Sequence, residues 1–390
     1  METTIVAQVQ GVSRCSIQIA SFMLENHLIN PADYTNPAVL VLEQKRIFRH
    51  AWHMAALTRD VPQERDYAKR SIGETDLVIH RYEGRIVAYA NVCPHRFSAF
   101  FDKPSGNGPI RCPYHLWTFN GDGIAIGVPH RQNEPLTCYQ TPDLRLDIWQ
   151  TEVIGEFIFV SAEPLYSLAD FLGPMLPILK QISGVLGSER PNIIQDISAN
   201  WKIALQNTVE FEHAFSVHAE TFGSDMQKPL QVDCDPDAEN SISYVTRMNP
   251  RRYLHARDAR INEIFKRVQI PYPDGYRHHL IFPATTIGYT DNQQLAIMDY
   301  QPVAPGSCRM SVRLFSFKVP NLTKAEMAML DIVGPWHVAY TERLFVEDKK
   351  ICEAVQHGLS SRIARMKGII QPGERLVHRF QQIYRRWMDQ

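Results

Sequence analysis

Two short strings, Cys93-Pro94-His95-Arg96 and Cys112-Pro113-Tyr114-His115, constrain this chain more than any other feature. Each supplies one thiol and one imidazole, spaced C-x-H and C-x2-H, and sixteen residues (Arg96 to Arg111) separate them. Such a set must fold as two loops that face one another. Cys2His2 is also a structural zinc set, but zinc sites of that kind usually take both Cys from one loop and both His from another. Here each loop brings one of each, which suits a [2Fe–2S] centre in which two thiolates hold one iron and two imidazoles the other. Neutral imidazole in place of thiolate raises the potential above that of an all-Cys cluster, so the centre passes electrons on. Pro94 and Pro113 stiffen the loops, and Trp117 and Phe119 supply apolar cover for sulfur.

The 390 residues exceed what a single core usually spans, so two domains are expected. With 41 basic against 42 acidic side chains the net charge is -1, which argues against a polyanion-binding protein and predicts no nucleic-acid partner. Beyond Cys93 and Cys112, the odd and scattered remainder (Cys15, Cys138, Cys234, Cys308, Cys352) does not form a disulfide framework, and a reducing cytoplasm is the expected home. No apolar run of about eighteen residues exists, so no membrane span is expected. The N-terminus lacks a charged stretch leading into an apolar one, so no secretory signal is read.

The pattern predicts an α+β chain in three parts. Residues 1–44 read as an N-terminal helical segment packing with the catalytic domain, its helix (Leu40, Leu42, Ile47) running to Trp52. Residues 45–162 read as a small antiparallel β domain. There Leu77–Tyr82 and Arg85–Tyr89 flank Glu83-Gly84 as a hairpin. Leu144, Leu146 and Ile148 alternate, and Phe157–Val160 is a buried strand. The strand Val87–Ala90 feeds into Cys93, which sets the first ligand loop on a sheet edge. Residues 163–390 read as an α+β domain with helices packed on an antiparallel sheet. The helices are Leu168–Leu172, Met175–Ile182, Trp201–Val217 and residues 323–358; strands include Ile242–Val245 and Arg309–Val319.

Glu210-Phe211-Glu212-His213, with His218 beyond, forms a second group of potential ligands. Two imidazoles and a carboxylate with open positions make the facial triad of non-haem Fe(II) oxygenases. Five residues along an ideal helix leave His213 and His218 about 140° apart, so the helix must distort or end near Phe215–Ser216 for both to bind one ion. In the distant string from Glu347 to Gln356, residues Asp348, Ile351, Cys352 and Val355 share one helix face. A carboxylate on an apolar face needs a partner, either a metal ion or a neighbour such as Lys349.

Together these residues resemble the oxygenase α subunits of the Rieske non-haem iron oxygenases, over roughly residues 40–385. The resemblance rests on Cys93/His95/Cys112/His115, on Asn200-Trp201-Lys202 leading through Asn207 to Glu210-x2-His213-x4-His218, and on Glu347-Asp348-x3-Cys352-Glu353-x2-Gln356-x-Gly358-Leu359, with Val377-His378-Arg379-Phe380 near the end. It implies that Cys93, His95, Cys112 and His115 hold a Rieske [2Fe–2S] cluster, and that His213, His218 and Asp348 hold mononuclear Fe(II). Glu210 falls where the family has an acidic bridge between a cluster His of one subunit (here His115) and an iron His of its neighbour (here His213). That implies a ring, usually a homotrimer. Glu at the bridge is more like the choline and carnitine monooxygenase branch than the aromatic-ring dioxygenases, many of which have Asp; Phe211-Glu212 and Leu116 depart from the usual Cys-Tyr and Gly.

The resemblance further implies O2 as co-substrate and electrons from NAD(P)H through a separate flavin or iron–sulfur reductase, with or without a ferredoxin. The reaction expected is hydroxylation or oxidative demethylation of a small metabolite, with aromatic cis-dihydroxylation as the alternative. An electron-transfer Rieske protein without oxygenase activity would leave the residues after the cluster motif superfluous. The basic C-terminus (Arg362, Arg365, Lys367, Arg375, Arg379, Arg385, Arg386) reads as a solvated face or a dock for an acidic electron donor. Phe211, Phe215, Phe222 and Trp336 are core or pocket aromatics.

Overall fold

Glu83 and Gly84 both adopt left-handed φ, +53° and +74°, which a two-residue type I′ turn requires. The expected hairpin forms around them, with Tyr82 opposite Arg85. The protein is described here as a computed structural model covering residues 28–390 other than 219, 222–230, 235–237, 248–259, 262, 265, 269–275, 291–293, 362–367 and 372–373. The hairpin belongs to a sheet of seven strands: β1 (His53–Leu57), β2 (Asp66–Ile72), β3 (Thr75–Tyr82), β4 (Arg85–Ala90), β5 (Ser105–Asn107), β6 (Ile148–Ile154) and β7 (Phe157–Ser161), ordered β1-β7-β6-β4-β3-β2-β5. All of β7 is buried.

Three local expectations are corrected in this region. β4 lies inside the sheet, between β3 and β6, so the loop carrying Cys93 springs from the end of a central strand and not from a lateral edge. Leu144 closes a short 3-10 turn begun by Pro142, and the strand starts only at Ile148; proline sets the turn's φ and supplies no ladder N–H. The N-terminal helix α1 (Pro37–Glu43) continues as a wider turn only to Phe48. Trp52 lies beyond it, its indole N–H donating to the Tyr166 carbonyl (2.9 Å), and the chain at once enters β1.

The second sheet contains eight strands: β8 (Leu186–Glu189), β9 (Ile193–Ile197), β10 (Gln231–Cys234), β11 (Ser241–Arg247), β12 (Tyr276–Ile281), β13 (Thr285–Thr290), β14 (Gln294–Ala304) and β15 (Ser307–Phe317). β10 to β15 form an antiparallel meander, and β8 and β9 both pair with β15. After α1, the helices among the described residues include α2 (Leu168–Leu172), α3 (Met175–Val185), α4 (Trp201–Val209), α5 (Ala214–Val217), α6 (Lys324–Leu359) and α7 (Arg375–Met388). Alternation along the strands gives the sheet two faces. On one, Ser243 bonds His279 (2.7 Å) and Met175 of α3 (3.4 Å), and Arg313 reaches across to Asp60 of the first lobe (2.7 Å). On the other, Tyr244 and Tyr300 meet Thr208 of α4 at 3.3 and 2.5 Å. The long-range pair Arg70–Asp299 (2.6 Å) also ties the lobes together.

A buried polar knot fixes α4. Glu43 of α1 pairs with Lys202 and accepts from Trp201 Nε1 (2.9 Å) and from the Tyr384 hydroxyl of α7 (2.7 Å). All four side chains lie inside the protein. Asn200 caps α4 through its side chain, while its own N–H donates to Gln356 of α6 (2.9 Å). The helix whose end carries Glu210 is thereby held by the N-terminal segment, by α6 and by the C-terminal helix.

Candidate metal centres

The two cysteine loops have different ligand spacing yet close in the same way. The N–H of Phe97 donates to the Cys93 carbonyl (2.9 Å), and that of Leu116 to the Cys112 carbonyl (3.0 Å). Each cysteine's N–H donates onward in turn, to Ser98 O (2.9 Å) and to Trp117 O (2.8 Å). Phe97 and Leu116 complete the turns at φ +60° and +61°, a conformation that favours glycine. Both cysteines are buried, and both are free thiols. Burial pushes the Cys93 thiol up to about 11, against the opposing pull of the His95 backbone N–H.

The loops pair like with like. Cys93 and Cys112 are within hydrogen-bonding reach of each other, and the His95 and His115 rings lie 4.7 Å apart. Nδ1 of each imidazole is buried without a hydrogen-bond partner, an arrangement that is costly unless something binds there. Two thiols on one side and two orphaned imidazole nitrogens on the other fit a diiron cluster with unlike irons. Trp117 stacks on His95 (4.7 Å). The loop tips present Phe97, Tyr114 and Leu116 to solvent, with Phe97 79% exposed.

The second group comes together from α4, α5 and α6. His213 Nε2 lies 3.4 Å and His218 Nε2 3.2 Å from Asp348 Oδ1. The three potential ligand atoms lie within 4.8 Å of one another. Spacing alone left the two histidines on different helix faces; the break that resolves this falls where it was expected, just past Phe215–Ser216, because α5 ends at Val217 and His218 leaves helical geometry (φ -89°, ψ 44°). The expected continuous helix Trp201–Val217 is also interrupted upstream. α4 ends at Glu210, which turns extended (φ -108°, ψ 158°). Its Oε2 accepts the backbone N–H of Glu212 (2.6 Å) and His213 (3.2 Å). The carboxylate thus captures the donors that would have continued the helix. His213 then precedes the short α5 and His218 follows it.

Each member of this set has a partner within the chain. Glu210 Oε1 bonds His213 Nδ1 (2.5 Å). Glu347 Oε2 bonds His218 Nδ1 (2.9 Å). Asn207 donates to Asp348 Oδ1 (2.8 Å). Burial disfavours a charged His213, but hydrogen bonds to Asp348 and Glu210 outweigh it and push the imidazole up to about 9. Burial likewise opposes ionisation of Asp348, and the two histidines pull it down to about 2. A proton is therefore held between two carboxylates, where a cation would replace it; the donor set fits a mononuclear metal.

The apolar stripe expected around Asp348 is absent. Cys352 is buried, but Ile351 and Val355 are exposed, and the packed side of α6 includes Phe345, Cys352 and Gln356. The reason is that α6 packs where Gln356 meets Asn200 and Asp348 meets α4 and α5, a stripe drifting one position from the one read in the sequence. Phe211 lies 6.3 Å from the ring of Tyr276. Trp336 stacks on Tyr340 and sits about 18 Å along the helix from Asp348, too far to line that site. Phe222 falls outside the described residues.

Sequence reading gave no role to the sheet face beneath the triad. Tyr276 is partly buried, and desolvation together with the charge of Asp348 raises its phenol. His278 stands opposite Tyr244 and Gly288 in the strand register. Neither of its ring nitrogens has a hydrogen-bond partner, and burial pushes it down to about 3, so the ring is neutral. The alternation Tyr276-x-His278 was the only available signal. The basic C-terminus is only in part the solvated face expected: Arg375 is exposed, whereas Arg379 donates to the Ala238 carbonyl (2.7 Å) and Arg386 to Glu239 O and Asn240. Arg362, Arg365 and Lys367 lie outside the described residues. Among the described residues no helix is long and apolar enough to cross a membrane.

Residues 51–142 match the family model described as Rieske [2Fe-2S] domain, and residues 188–390 the one described as ring hydroxylating alpha subunit (catalytic domain). The chain is 27% identical over 365 residues to the large subunit of anthranilate 1,2-dioxygenase of Burkholderia cepacia, covering 83% of this chain and 82% of that one. It is 25% identical over 347 residues to the carnitine monooxygenase oxygenase subunit of Acinetobacter baumannii, covering 86% of each. Among solved structures it is similar to naphthalene 1,2-dioxygenase from Rhodococcus sp. bound to indole (TM-score 0.73, 20% identity, 97% of this chain and 99% of that chain). A quaternary ammonium Rieske monooxygenase in complex with L-carnitine also matches (TM-score 0.70, 20% identity, 93% and 95%). At these identities the structural likeness is one of fold.

Proposed function

This chain belongs to the ring-hydroxylating oxygenase α subunits, and we propose that it is the terminal oxygenase of a multicomponent system acting on a small organic metabolite. Its cofactors are a Rieske [2Fe–2S] cluster and a mononuclear iron. In the assignment offered here, Cys93, His95, Cys112 and His115 hold the cluster, and His213, His218 and Asp348 hold the iron. When bound, the two groups supply electron storage and O2 chemistry, and the protein supplies binding, orientation and electrostatics. The domain limits that accompany this reading are 1–44, 45–162 and 163–390.

The observation that carries it is the presence, in one chain, of a paired Cys/His loop set and a separate His213–His218–Asp348 convergence. A pure electron carrier has no use for the second set. The chain's own residues do the following. Asp348 presents one oxygen to both histidines. Glu210 holds the proton on His213 Nδ1, which leaves Nε2 for the metal. On the sheet side, Tyr276 feels the charge of Asp348 and has ring contacts with Phe211 (6.3 Å) and His278 (5.8 Å).

Family members act with a separate reductase or ferredoxin and are multimeric. For this chain we propose a homotrimer, fed from NAD(P)H by a flavin or iron–sulfur reductase, in the cytoplasm; the free thiols support that compartment. The exposed Phe97, Tyr114 and Leu116 beside the cluster ligands support docking of the cluster tip on a neighbouring protomer. There Glu210 would accept from His115 and join it to the neighbour's His213.

The preferred reaction is monooxygenation, either hydroxylation or oxidative demethylation, supported by the Glu bridge and by the carnitine monooxygenase relative. The second reading, cis-dihydroxylation of an aromatic ring, is favoured by the 27% identity to an aromatic dioxygenase subunit over 83% of the chain. Turnover with 18O2 and a matched reductase, on a panel of quaternary amines and aromatic acids, separates them. One labelled atom in the product supports the first and two the second. A preparation holding about two irons per chain rather than about three refutes both.

A further inference from the structure

We infer that Glu347 is the positioning residue for His218, holding the imidazole in the tautomer and orientation that ligate the iron. The inference deepens the proposed function and rests on its assignment of His218 as a ligand. His218 stands outside regular secondary structure: it follows a helix of four residues and adopts φ -89°, ψ 44°. Yet it is buried.

What fixes it comes from α6. Glu347 Oε2 accepts from His218 Nδ1 (2.9 Å) and from the Thr221 hydroxyl (2.6 Å), while Oε1 accepts the Glu220 backbone N–H (3.1 Å). Glu347 is itself buried, and both of its oxygens are taken up by these donors. An ionised carboxylate only accepts, so Nδ1 of His218 carries the ring proton and Nε2 is left as the metal-binding atom. Consecutive residues on a helix point about 100° apart. Glu347 and Asp348 therefore reach the same imidazole from two sides, Glu347 at Nδ1 and Asp348 at Nε2 (3.2 Å). One rigid helix supplies both a ligand and the reference for another ligand. His213 is held differently, by Glu210 three residues before it.

The test is Co2+ binding to the protein with its cluster intact and its mononuclear iron removed, followed by calorimetry. The variants are E347A, E347Q, T221V and H218A. Removing such a partner is expected to weaken the metal by about 10- to 100-fold in E347A. E347Q keeps an acceptor for the N–H and recovers most of that loss. T221V, which breaks only the hydroxyl bond, stays within about threefold of the parent. The inference is overturned if E347A binds like the parent while H218A does not. It is also overturned if T221V weakens binding as much as E347A, since Glu347 would then merely anchor the segment. If H218A itself binds Co2+ normally, the failure belongs to the metal-site assignment. Should E347A not fold, the paramagnetically shifted His218 N–H resonance of Co2+-loaded E347Q decides. A moved resonance supports the role, and an unchanged one overturns it.

Discussion

The two metal centres are built by opposite means. The cluster loops are local: each ligand pair spans at most four residues, and backbone bonds of Phe97 to Cys93 and Leu116 to Cys112 close each turn. The iron site is assembled. His218 and Asp348 are far apart in sequence, and their geometry depends on how α4, α5 and α6 meet. Side chains, not backbone, hold it: Glu210, Glu347 and Asn207 each orient one member. A turn motif carries its geometry with it, whereas a site between helices is only as good as the packing that positions it.

The largest effects should come from emptying one centre at a time. C112S is expected to lose the visible cluster and to reduce turnover to background, while still binding about one metal ion at the second site. D348A is expected to lose that ion and keep its colour. Iron and acid-labile sulfide per chain report both. If C112S also empties the His213–His218–Asp348 site, the centres are not independent structures and the contrast between them fails.

This contrast also explains what the sequence disclosed. The β hairpin at Glu83-Gly84 and the paired Cys/His loops were legible because their determinants are neighbours in the chain. The α+β class and the long helix from residue 324 to 359 followed from periodicity. The break at Glu210 was not legible in position, because it depends on one carboxylate choosing backbone N–H groups over solvent. Nor was the packed face of α6, since which of Ile351, Cys352 and Val355 is covered depends on where α4 lies. Glu347 stood beside Asp348 in the sequence with nothing to show that it faces His218. Arg379 and Arg386 read as surface charge because their acceptors are carbonyls 140 or more residues away.

E210Q tests a residue that serves both the helix break and His213. It keeps the shape but removes the charge and offers a weaker acceptor. Both metals are expected to remain, while single-turnover reoxidation of the cluster slows, on the order of 100-fold, by analogy with loss of a ligand's orienting partner. Unchanged reoxidation would sink the bridge assignment. Loss of the metal instead would show that Glu210 is needed chiefly to shape the site.

A pH titration sharpens the electrostatic half of the comparison. Without metal, His213 is pushed up to about 9 by Asp348 and Glu210 despite its burial. Metal binding needs the neutral ring, so below about 9 each ion must displace one proton. Apparent Co2+ affinity should therefore fall about tenfold per unit as pH drops from about 9 toward neutrality, and level off above it. Calorimetry in two buffers of different ionisation enthalpy measures the released proton. Proton release near zero at pH 7 would mean that the two carboxylates do not hold His213 charged.

The smallest effect is expected at the loop tip, and it tests whether the turn belongs to the backbone. Leu116 sits at φ +61° with its side chain 52% exposed. A left-handed non-glycine residue costs roughly 1 kcal/mol or more, while glycine's extra freedom in the unfolded chain offsets part of any relief. L116G should thus keep its cluster and raise stability by at most about 1 kcal/mol, read from the denaturant midpoint. Leu116 has a counterpart at Phe97, φ +60°, and F97G should behave alike, since the same backbone bond closes both turns. A clear loss of stability in either variant that appears only at protein concentrations where the assembly forms would assign that side chain to the contact between protomers.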